Sequence, residues 1–386
     1  MRDGTHPVVV VGAGISGLAT AVALQRAGLA VTVLERDVAS AAASGSGISI
    51  WPNALAALDI LGLGDAVRAV GGTVSAGAVR WHDGAWVRRP QADLLVRALG
   101  EPLVVLRRSA LREALSAPLA AGTVRHGAPV TGVAERAGVV EVTLADGRAL
   151  PAAAVIGADG VASVIARALC GPLPATYTGR TAWRGVADAG MDPELAGETF
   201  GMGLQAGHTP LGPDHTYWFA TERAPEGDHR PDGELTYLRR RFGGWAEPLP
   251  GLLAATDPAA VLRNDLYDRA IAPVWSRGRV TLVGDAAHPM RPHLGQGGCQ
   301  GLEDAAVLGA FVAAGSDLGA AFAGYAAFRR GRVATVVRTA RMVGRASGAR
   351  PDWLGAAAVR AGGAVPEFIL TRQLASIAGR MAFRLP

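Results

Sequence analysis

The first fifty residues alternate between unbroken apolar runs and a helical pattern. Val8–Val11 consists only of valine, which is typical of a strand buried on both faces of a parallel sheet. Residues 18–27 carry apolar positions at helical spacing, Gly28 ends that helix, and residues 30–34 form a second β-branched run. The pattern therefore predicts a strand–helix–strand unit, which belongs to a parallel sheet.

Two later segments repeat the buried-strand pattern. Residues 153–156 and 280–283 are short apolar runs, each followed by a turn that contains Gly and Asp, and we expect them in the same sheet. A long helix is predicted from about Leu302. The Ala/Gly-rich stretch 305–328 contains Asp317 and lacks anchoring residues at both ends, so it predicts a buried helix pair and no membrane span.

The middle of the chain has strand periodicity instead. Residues 177–263 alternate between apolar and polar positions with Pro/Gly turns, and the runs 216–221 and 234–238 are predicted as strands of an antiparallel sheet. Residues 74–87 alternate in the same way. Ser109 is predicted to cap a helix over 110–119, and residues 124–144 are predicted as a strand pair closed at Asp146-Gly147.

These patterns predict an α/β protein of 386 residues in three parts. We expect a discontinuous Rossmann-like domain with a parallel sheet (1–75, 100–175 and 265–340), an antiparallel-sheet domain that binds the substrate (76–99 and 176–264) and a C-terminal helical segment (341–386).

The composition excludes several classes of protein. All 38 basic residues are arginine, so the chain contains no lysine for a Walker-type phosphate loop or a pyridoxal Schiff base. The 33 acidic residues nearly balance the arginines, which are scattered along the chain, so nucleic-acid binding is not predicted.

Cysteine usage and the N-terminus predict a cytoplasmic location. Cys170 and Cys299 have no CxxC partner and no histidine at zinc-ligand spacing, so we expect free thiols and no metal site. The first residues lack the basic and apolar regions of a signal peptide.

The turn after the first strand has the glycine spacing of a dinucleotide site. Gly12, Gly14 and Gly17 would let a pyrophosphate approach the backbone at a helix N-terminus, where free N–H groups and the helix dipole favour anions. Glu35, at the end of the next strand, is placed to accept hydrogen bonds from ribose hydroxyls, and Arg36 could contact the adenosine.

A longer motif indicates which dinucleotide binds. The run 279–305, which contains Gly284-Asp285, Pro292 and a glycine-rich loop, resembles the second flavin fingerprint of the FAD-dependent aromatic hydroxylases. These are the class A flavoprotein monooxygenases related to para-hydroxybenzoate hydroxylase, and they include urate hydroxylase, salicylate hydroxylase and zeaxanthin epoxidase. Other stretches resemble the same family, in its order and over residues 7–340: 47–55, 108–115, 157–163 and 181–185.

The resemblance implies a function. FAD is the expected cofactor of the Rossmann-like domain, and NAD(P)H is the expected co-substrate. No second GxGxxG follows a strand, so no dedicated NAD(P)H domain is predicted. The resemblance implies that the nicotinamide binds transiently. The expected reaction hydroxylates or epoxidises a small aromatic or unsaturated substrate with dioxygen, through a flavin C4a-hydroperoxide. The absence of lysine excludes the flavin halogenases, which share the FAD fold but need a lysine.

Candidate cofactor residues follow from the motifs and the resemblance. Asp285 follows a buried strand and is suited to the ribityl and phosphate side of the flavin, and the glycine-rich loop leads into a helix whose dipole would stabilise reduced flavin. The expected cofactor contacts are Gly12, Gly14, Ser16, Gly17, Glu35, Arg36, Arg108, Asp159, Asp285, Gly295, Gly297 and Gly298. One departure is Ala166, where the family usually has an arginine, with Arg167 one residue later.

Candidate catalytic residues are Pro292, Arg184 and Tyr217. Pro292 packs beside the reacting flavin carbon by resemblance. Arg184 and Tyr217 lie on strands of the predicted antiparallel sheet, where alternate positions face one side, and the further candidates from this sheet are Met202, Leu204, His208 and Phe219. His288 and His293 both flank the flavin loop, and the sequence does not choose between them as a base. A monomer and a homodimer both stay open. A flavin oxidase or desaturating reductase, and a flavin-binding scaffold without turnover, are the alternatives.

Overall fold

The strand–helix–strand unit forms where the sequence predicts it. The computed structural model describes residues 6–38, 46–74, 77–89, 91–136, 139–315 and 317–386. The first ten strands in the described residues are Val8–Val11 (β1), Val31–Leu34 (β2), Gly47–Ile50 (β3), Gly72–Val74 (β4), Ala78–Trp81 (β5), Trp86–Arg88 (β6), Leu103–Arg107 (β7), Val124–Arg125 (β8), Val130–Arg136 (β9) and Val139–Leu144 (β10). The later strands are Ala149–Ala152 (β11), Ala154–Gly157 (β12), Ala175–Ala187 (β13), Gly197–Phe200 (β14), Gln205–Pro210 (β15), Thr216–Arg223 (β16), Leu262–Arg269 (β17), Ser276–Arg277 (β18) and Val280–Leu282 (β19).

Helices connect these strands and cover the sheets. They are Ile15–Arg26 (α1), Pro52–Ile60 (α2), Gly64–Val70 (α3), Ala92–Leu99 (α4), Arg108–Ser116 (α5), Val164–Cys170 (α6), Glu234–Phe242 (α7), Leu249–Ala254 (α8), Gly297–Ala314 (α9), Leu318–Ser347 (α10), Asp352–Gly363 (α11) and Glu367–Ala378 (α12).

A six-stranded sheet forms the centre of the Rossmann-like part. Its order is β18-β19-β12-β1-β2-β8, and every pair is parallel except β18 with β19. The valines of β1 are all buried, as expected for a central strand with helices on both faces. Because parallel strands end at one edge of the sheet, the turns after β1, β12 and β19 lie side by side there.

A seven-stranded sheet follows the order β17-β13-β16-β15-β14-β5-β6. Its pairs are antiparallel apart from β14 with β5. Paired residues share a face, so Arg184 and Tyr217 point to one side of this sheet, while Trp183 and Trp218 point to the other. The tryptophan side is buried against α7 and α8. The mixed α/β fold predicted from the sequence is confirmed, whereas the boundaries of its domains stay a prediction.

The predicted strand 234–238 is wrong, because these residues begin α7. Gly233, with φ near +89°, precedes the helix, and Leu235, Leu238 and Phe242 recur at helical spacing and are buried. Packing of this apolar stripe against the sheet overrides the short alternating pattern.

Three smaller boundaries also differ from the prediction. Helix α5 begins at Arg108, so Ser109 lies inside it and is not its N-cap. The Asp146-Gly147 turn joins β10 to β11, and β8 pairs with β2 in the parallel sheet. Helix α9 begins at Gly297, five residues before the predicted start.

The C-terminal part is helical, as predicted. Residues 305–314 form the end of α9 and residues 318–328 form the start of α10, and the two helices pack against each other. In the part of the chain that the structure describes, no helix combines the length and apolar character needed to cross a membrane.

Candidate active site

The three glycines of the first turn have different surroundings. Gly12 has φ near +104°, and a Cβ there would lie 2.5 Å from the Ala158 carbonyl oxygen. A Cβ at Gly17 would lie 1.9 Å from the Gly12 carbonyl oxygen, so both positions require glycine for close packing. A Cβ at Gly14 would meet no atom within 4 Å. Gly14 therefore borders open space at the start of α1, where a pyrophosphate could approach.

The N-terminus of α1 lacks a side-chain cap, so the first N–H groups of the helix have no side-chain acceptor at the N-cap position. Glu35 lies beside this turn, and its carboxylate accepts a hydrogen bond from the Ala13 N–H at 2.7 Å and from the Asp37 N–H at 3.0 Å. Arg36 is largely exposed and pairs with Asp37 at 3.5 Å. The carboxylate of Glu35 is thus held beside the glycine turn, whereas Arg36 extends towards solvent.

Ser16 joins the glycine turn to the later flavin motif. A Cβ at Gly284 would lie 2.3 Å from Ser16 Oγ, and a Cβ at Gly301 would lie 2.0 Å from it. The Ser16 side chain therefore fills the contact between α1 and α9. The predicted cofactor contact of Ser16 would be made by its backbone N–H, which is in the first turn of α1.

Asp285 lies opposite Arg108 at the carboxyl edge of the parallel sheet. The Asp285 side chain is accessible, but the surrounding protein limits its hydration and raises the pKa of the carboxyl group; His288, Arg108 and Arg269 act in the opposite direction. Partial burial lowers the pKa of Arg108, and the charge of Asp285 opposes that shift. Arg269 donates hydrogen bonds to the carbonyl oxygens of Asp285 and Ala286, both at 2.7 Å, and so fixes this turn.

The glycine-rich loop leads into the N-terminus of α9, which also lacks a side-chain cap. Gly295 has φ near +61° and packs against Trp51, and Gly298 packs against Ile48. A Cβ at Gly297 would have only the Met290 side chain within 4 Å, at 3.8 Å. The loop therefore presents backbone N–H groups at an open position, as an anion-stabilising helix terminus requires.

A buried ionic network supports this loop from behind. Asp304 accepts hydrogen bonds from the Gly284 N–H at 2.9 Å and from Arg329 Nε at 2.8 Å, and its other close partner is His288 Nε2 at 2.5 Å. Glu303 pairs with Arg329 and Arg332. The histidine ring also packs on Trp275. His288 is fully buried in this network.

Asp159 supports the N-terminus of α6, whose N-cap is Ser163. Its carboxylate accepts hydrogen bonds from the Ser163 hydroxyl at 2.5 Å and from the Val164 N–H at 2.6 Å. Burial raises the pKa of Asp159, and these hydrogen bonds oppose the rise. Ala166 is buried in α6, and Arg167 is exposed and donates to the Ala162 carbonyl oxygen. The local helix therefore does not bring Arg167 to the position of Ala166.

A cavity of about 350 Å³ lies between three elements. One wall is the open face of the seven-stranded sheet, another is the segment that contains Pro292, and the third is the C-terminal end of α10. Pro292 and Arg184 both line it, and Arg184 donates to Asn264 Oδ1 at 2.8 Å. The residues that line it are Thr178, Arg180, Arg184, Arg223, Leu266, Tyr267, Met290, Arg291, Pro292, His293, Gly344, Arg345 and Gly348.

Tyr217 lies next to this cavity, between the cofactor side and the substrate side. Its ring packs over Gly47, where a Cβ would lie 2.5 Å from the ring. Burial raises the pKa of Tyr217, and the nearby guanidinium groups of Arg184 and Arg108 oppose the rise. The structure thus brings Arg184, Tyr217 and Arg108 together from distant parts of the sequence.

His293 and His208 have contrasting positions. His293 lines the cavity and packs on Gly344, and burial, with Arg180 and Arg291 nearby, lowers its pKa to about 4. His208 was a substrate-side candidate, but it points to the helix-covered side of the sheet and is buried there. Leu204 is likewise part of the core beneath that sheet.

The sequence did not single out Arg180, Arg223 or Arg345 as site residues. The first two face the cavity because they share the side of the sheet that carries Arg184. Period-two spacing from Arg184 would have found Arg180. Arg345 comes from the far end of α10, and no local pattern reveals its approach to the sheet.

The residues at the edge of the parallel sheet fit FAD. Gly14 and Gly297 border open space at two uncapped helix N-termini, and Glu35, Arg108 and Asp285 lie around them. Two anion-favouring termini suit the pyrophosphate and the electron-rich edge of a flavin, respectively. The individual contacts of the candidate residues with FAD stay predictions.

Several known proteins are similar to this chain. Residues 5–340 match the FAD binding domain family. Aurachin C monooxygenase/isomerase from Stigmatella aurantiaca is 39% identical over 343 residues, with 88% of each chain covered. A 3-amino-4-hydroxybenzoate 2-monooxygenase from Streptomyces platensis is 37% identical over 351 residues, with 86% of each chain covered.

A solved structure is also similar. The crystal structure of Klebsiella pneumoniae HpxO complexed with FAD and uric acid superposes with a TM-score of 0.89 and 28% identity, over 98% of this chain and 99% of that one. The resemblance inferred from the motifs is therefore confirmed. The chain belongs to the family of FAD-dependent monooxygenases, and its cofactor is FAD.

Proposed function

We propose that this enzyme hydroxylates or epoxidises a small aromatic or unsaturated substrate in the cavity beside Pro292. The observation that carries the proposal is the position of that cavity, between the flavin loop and the open face of the seven-stranded sheet. A volume of about 350 Å³ suits a small ring system. Dioxygen is the proposed oxidant, and NAD(P)H is the co-substrate typical of the family.

Bound FAD supplies the redox and oxygen chemistry, and the chain binds, orients and shields the reactants. The uncapped terminus of α9 would stabilise negative charge at the flavin. Pro292 would form the wall beside the reacting carbon, and the walls of the cavity would limit the access of water. Arg184 and Tyr217 would orient the substrate from the sheet.

Of the two histidines beside the flavin loop, the geometry favours His293 for a substrate contact. It lines the cavity, whereas His288 is buried against Asp304. With a pKa of about 4, His293 is neutral at pH 7 and would exchange hydrogen bonds with a substrate hydroxyl without carrying charge. We further propose a cytoplasmic enzyme; both a monomer and a homodimer are compatible with the site, which one chain supplies.

A screen of aromatic and polycyclic compounds tests the proposal. Purified protein loaded with FAD should be yellow, and a substrate should accelerate NADPH or NADH oxidation together with oxygen consumption. A protein that does not take up FAD would contradict the proposal. Failure of both NADPH and NADH to reduce the bound flavin, with every compound in the screen, would contradict it as well. A flavin oxidase or desaturating reductase would instead give a product without oxygen from dioxygen.

A further inference from the structure

Helix α11 has a solvent-facing side that is almost entirely apolar. Six of its residues are exposed, and five of these are apolar: Trp353, Leu354, Ala357, Ala358 and Ala361. They are spaced three and four residues apart, so they form one stripe along the helix, which we name the α11 face. A surface helix of a globular protein ordinarily carries charged or polar residues on its outer side. The α11 face therefore lacks the polar cover that contact with water favours.

The opposite side of α11 is fixed against the rest of the enzyme. Gly355 is buried there, and a Cβ at this position would lie 2.6 Å from the Ser347 carbonyl oxygen of α10. Arg223 pairs with Asp352 and donates a hydrogen bond to the Gly348 carbonyl oxygen at 2.7 Å, which ties the start of α11 to the seven-stranded sheet. This packing holds the α11 face outward in one orientation.

Exposed apolar side chains also occur on the elements that adjoin the first turn of α11. Met342 and Val343 are exposed near the C-terminal end of α10. Met202 is exposed as well, and its neighbour Gly203 packs against the start of α11, where a Cβ would lie 2.7 Å from the Asp352 carboxylate. The apolar surface around Trp353 is therefore built from three parts of the chain.

The same part of the chain carries the positive charge of the protein. Residues 338–386 contain eight arginines and two acidic residues, whereas the whole chain has a net charge of +5, so the remainder is close to neutral. Arg345 and Arg350 are exposed just before α11, and neither forms an ion pair with a carboxylate of the described residues. Asp352 is the only acidic residue in the stretch 342–354, and it already pairs with Arg223.

An anionic lipid surface matches this combination of an apolar stripe and arginines. A helix that lies in the plane of a membrane interface buries one apolar side and keeps basic residues beside it, and tryptophan is enriched at the level of the lipid headgroups. A second copy of the chain matches less well. A two-fold contact through the α11 face would bring Arg345 and Arg350 of one chain close to the same arginines of the other, where like charges repel.

We propose that the α11 face docks on the surface of an anionic phospholipid bilayer, with Trp353 and Leu354 at the level of the headgroups and Arg350 beside the lipid phosphates. The helix lies on the bilayer and does not cross it. Gly344 and Gly348 line the cavity beside Pro292, so docking brings one wall of that cavity close to the lipid. Docking is independent of which substrate the cavity takes.

Co-sedimentation of the FAD-loaded enzyme with vesicles tests this proposal. The vesicles are phosphatidylcholine alone, and an equimolar mixture of phosphatidylcholine and phosphatidylglycerol. We expect the enzyme to bind the anionic vesicles at least about tenfold more tightly, and added salt should weaken this binding. Replacement of both Trp353 and Leu354 by serine should weaken it at least about tenfold, and Arg350→Gln should weaken it about fivefold.

Two further variants separate docking from a loss of structure. Ala357→Glu places a negative charge on the exposed α11 face and removes no packing contact, so it should abolish vesicle binding and keep the wild-type melting temperature. Phe368→Ser is the matched control, because Phe368 is an aromatic residue of α12 that is 71% exposed and lies beyond the other end of α11. It should bind vesicles like the wild type.

Equal binding to the two kinds of vesicle, or no binding to either, would overturn the proposal. Wild-type binding by Ala357→Glu would show that another surface contacts lipid, and an equal loss in Phe368→Ser would show that the contact is not specific to the α11 face. A wild-type dimer that Ala357→Glu converts to a monomer would assign this face to a second copy. Reduction of the flavin by NAD(P)H without vesicles should be the same in Ala357→Glu and the wild type, so the reaction and the docking are tested separately.

Discussion

The cofactor side and the substrate side of this enzyme are built in different ways. On the cofactor side, short runs of sequence each place several backbone groups at the edge of one parallel sheet, and glycines hold them close together. On the substrate side, arginines from β13, β16, the loop before α9 and α10 converge on one cavity. The groups of the cofactor side are close in sequence and belong mainly to the backbone. The groups of the substrate side are distant in sequence and belong to side chains.

This difference predicts where mutations act. Changes in the cofactor side should affect folding or FAD binding, because packed backbone tolerates little added volume. Changes in the cavity should affect substrate affinity and turnover, and they should leave the fold intact.

The largest effect, a loss of folding stability, is expected from Gly17→Ala. The added methyl group would lie 1.9 Å from the Gly12 carbonyl oxygen, so the turn must move, at a cost of at least about 3 kcal/mol. Urea unfolding should show this loss. Gly14→Ala is the comparison, since its Cβ meets no atom within 4 Å. It should keep the wild-type stability of the FAD-free protein and weaken FAD binding. Equal stability losses in both variants would refute the distinct roles of the two glycines.

Arg329→Met should destabilise the protein by about 3–5 kcal/mol, because it removes the buried arginine that Glu303 and Asp304 share. Burial by itself would lower the pKa of Arg329, but the two carboxylates outweigh it and raise that pKa. Arg330→Met is the control, since Arg330 is exposed on the same helix and its described hydrogen bond is to the Pro273 carbonyl oxygen. Unfolding by urea measures both variants, and equal midpoints would contradict a supporting role for the buried network.

His208→Leu should reduce the loss of stability in mild acid. Burial lowers the pKa of His208 to about 4, so below its unfolded pKa near 6.5 the unfolded chain binds a proton that the folded chain excludes. This histidine therefore lowers the free energy of unfolding as the pH falls from 6.5 to 4, by about 3 kcal/mol in total. Melting temperatures between pH 7 and pH 4 should fall less steeply in the variant. Parallel curves would show that His208 is protonated in the folded protein.

Tyr217→Phe should have a small effect on stability and a larger one on catalysis. The ring still packs over Gly47, and the hydroxyl beside Arg184 is lost. We expect kcat/KM to fall about tenfold, the size of one lost hydrogen bond to a substrate or its neighbours. Because burial raises the pKa of Tyr217, no pH break from this residue should occur below pH 10. Unchanged steady-state kinetics would place Tyr217 outside the substrate site.

The sequence predicted the strand and the glycine turn of the cofactor side, and the contacts of the candidate residues with FAD stay predictions. Each of three features has a local sequence signal: the valine run of β1, the glycine turn and Asp285. Strand burial, close backbone packing and helix termini each depend on the residue types within a few positions. The substrate side was predicted only in part. Arg184 and Tyr217 were proposed from strand alternation, but the same reasoning also proposed His208, which points to the opposite face of the sheet.

The remaining errors have a physical reason. The run 234–238 alternates like a strand, and only tertiary packing of Leu235, Leu238 and Phe242 against the tryptophans makes it a helix. The approach of Arg345 to the sheet depends on the length and direction of α10. Neither property can be read from a short window of sequence.

The most direct test of the central claim is turnover under ¹⁸O-labelled dioxygen. A compound that accelerates NAD(P)H oxidation in the screen is incubated with the FAD-loaded enzyme, and its product is analysed by mass spectrometry. A monooxygenase whose substrate lies in the cavity beside Pro292 incorporates one labelled oxygen atom per molecule of product. A product without label, formed at the same rate as NAD(P)H is consumed, would contradict the monooxygenase reaction.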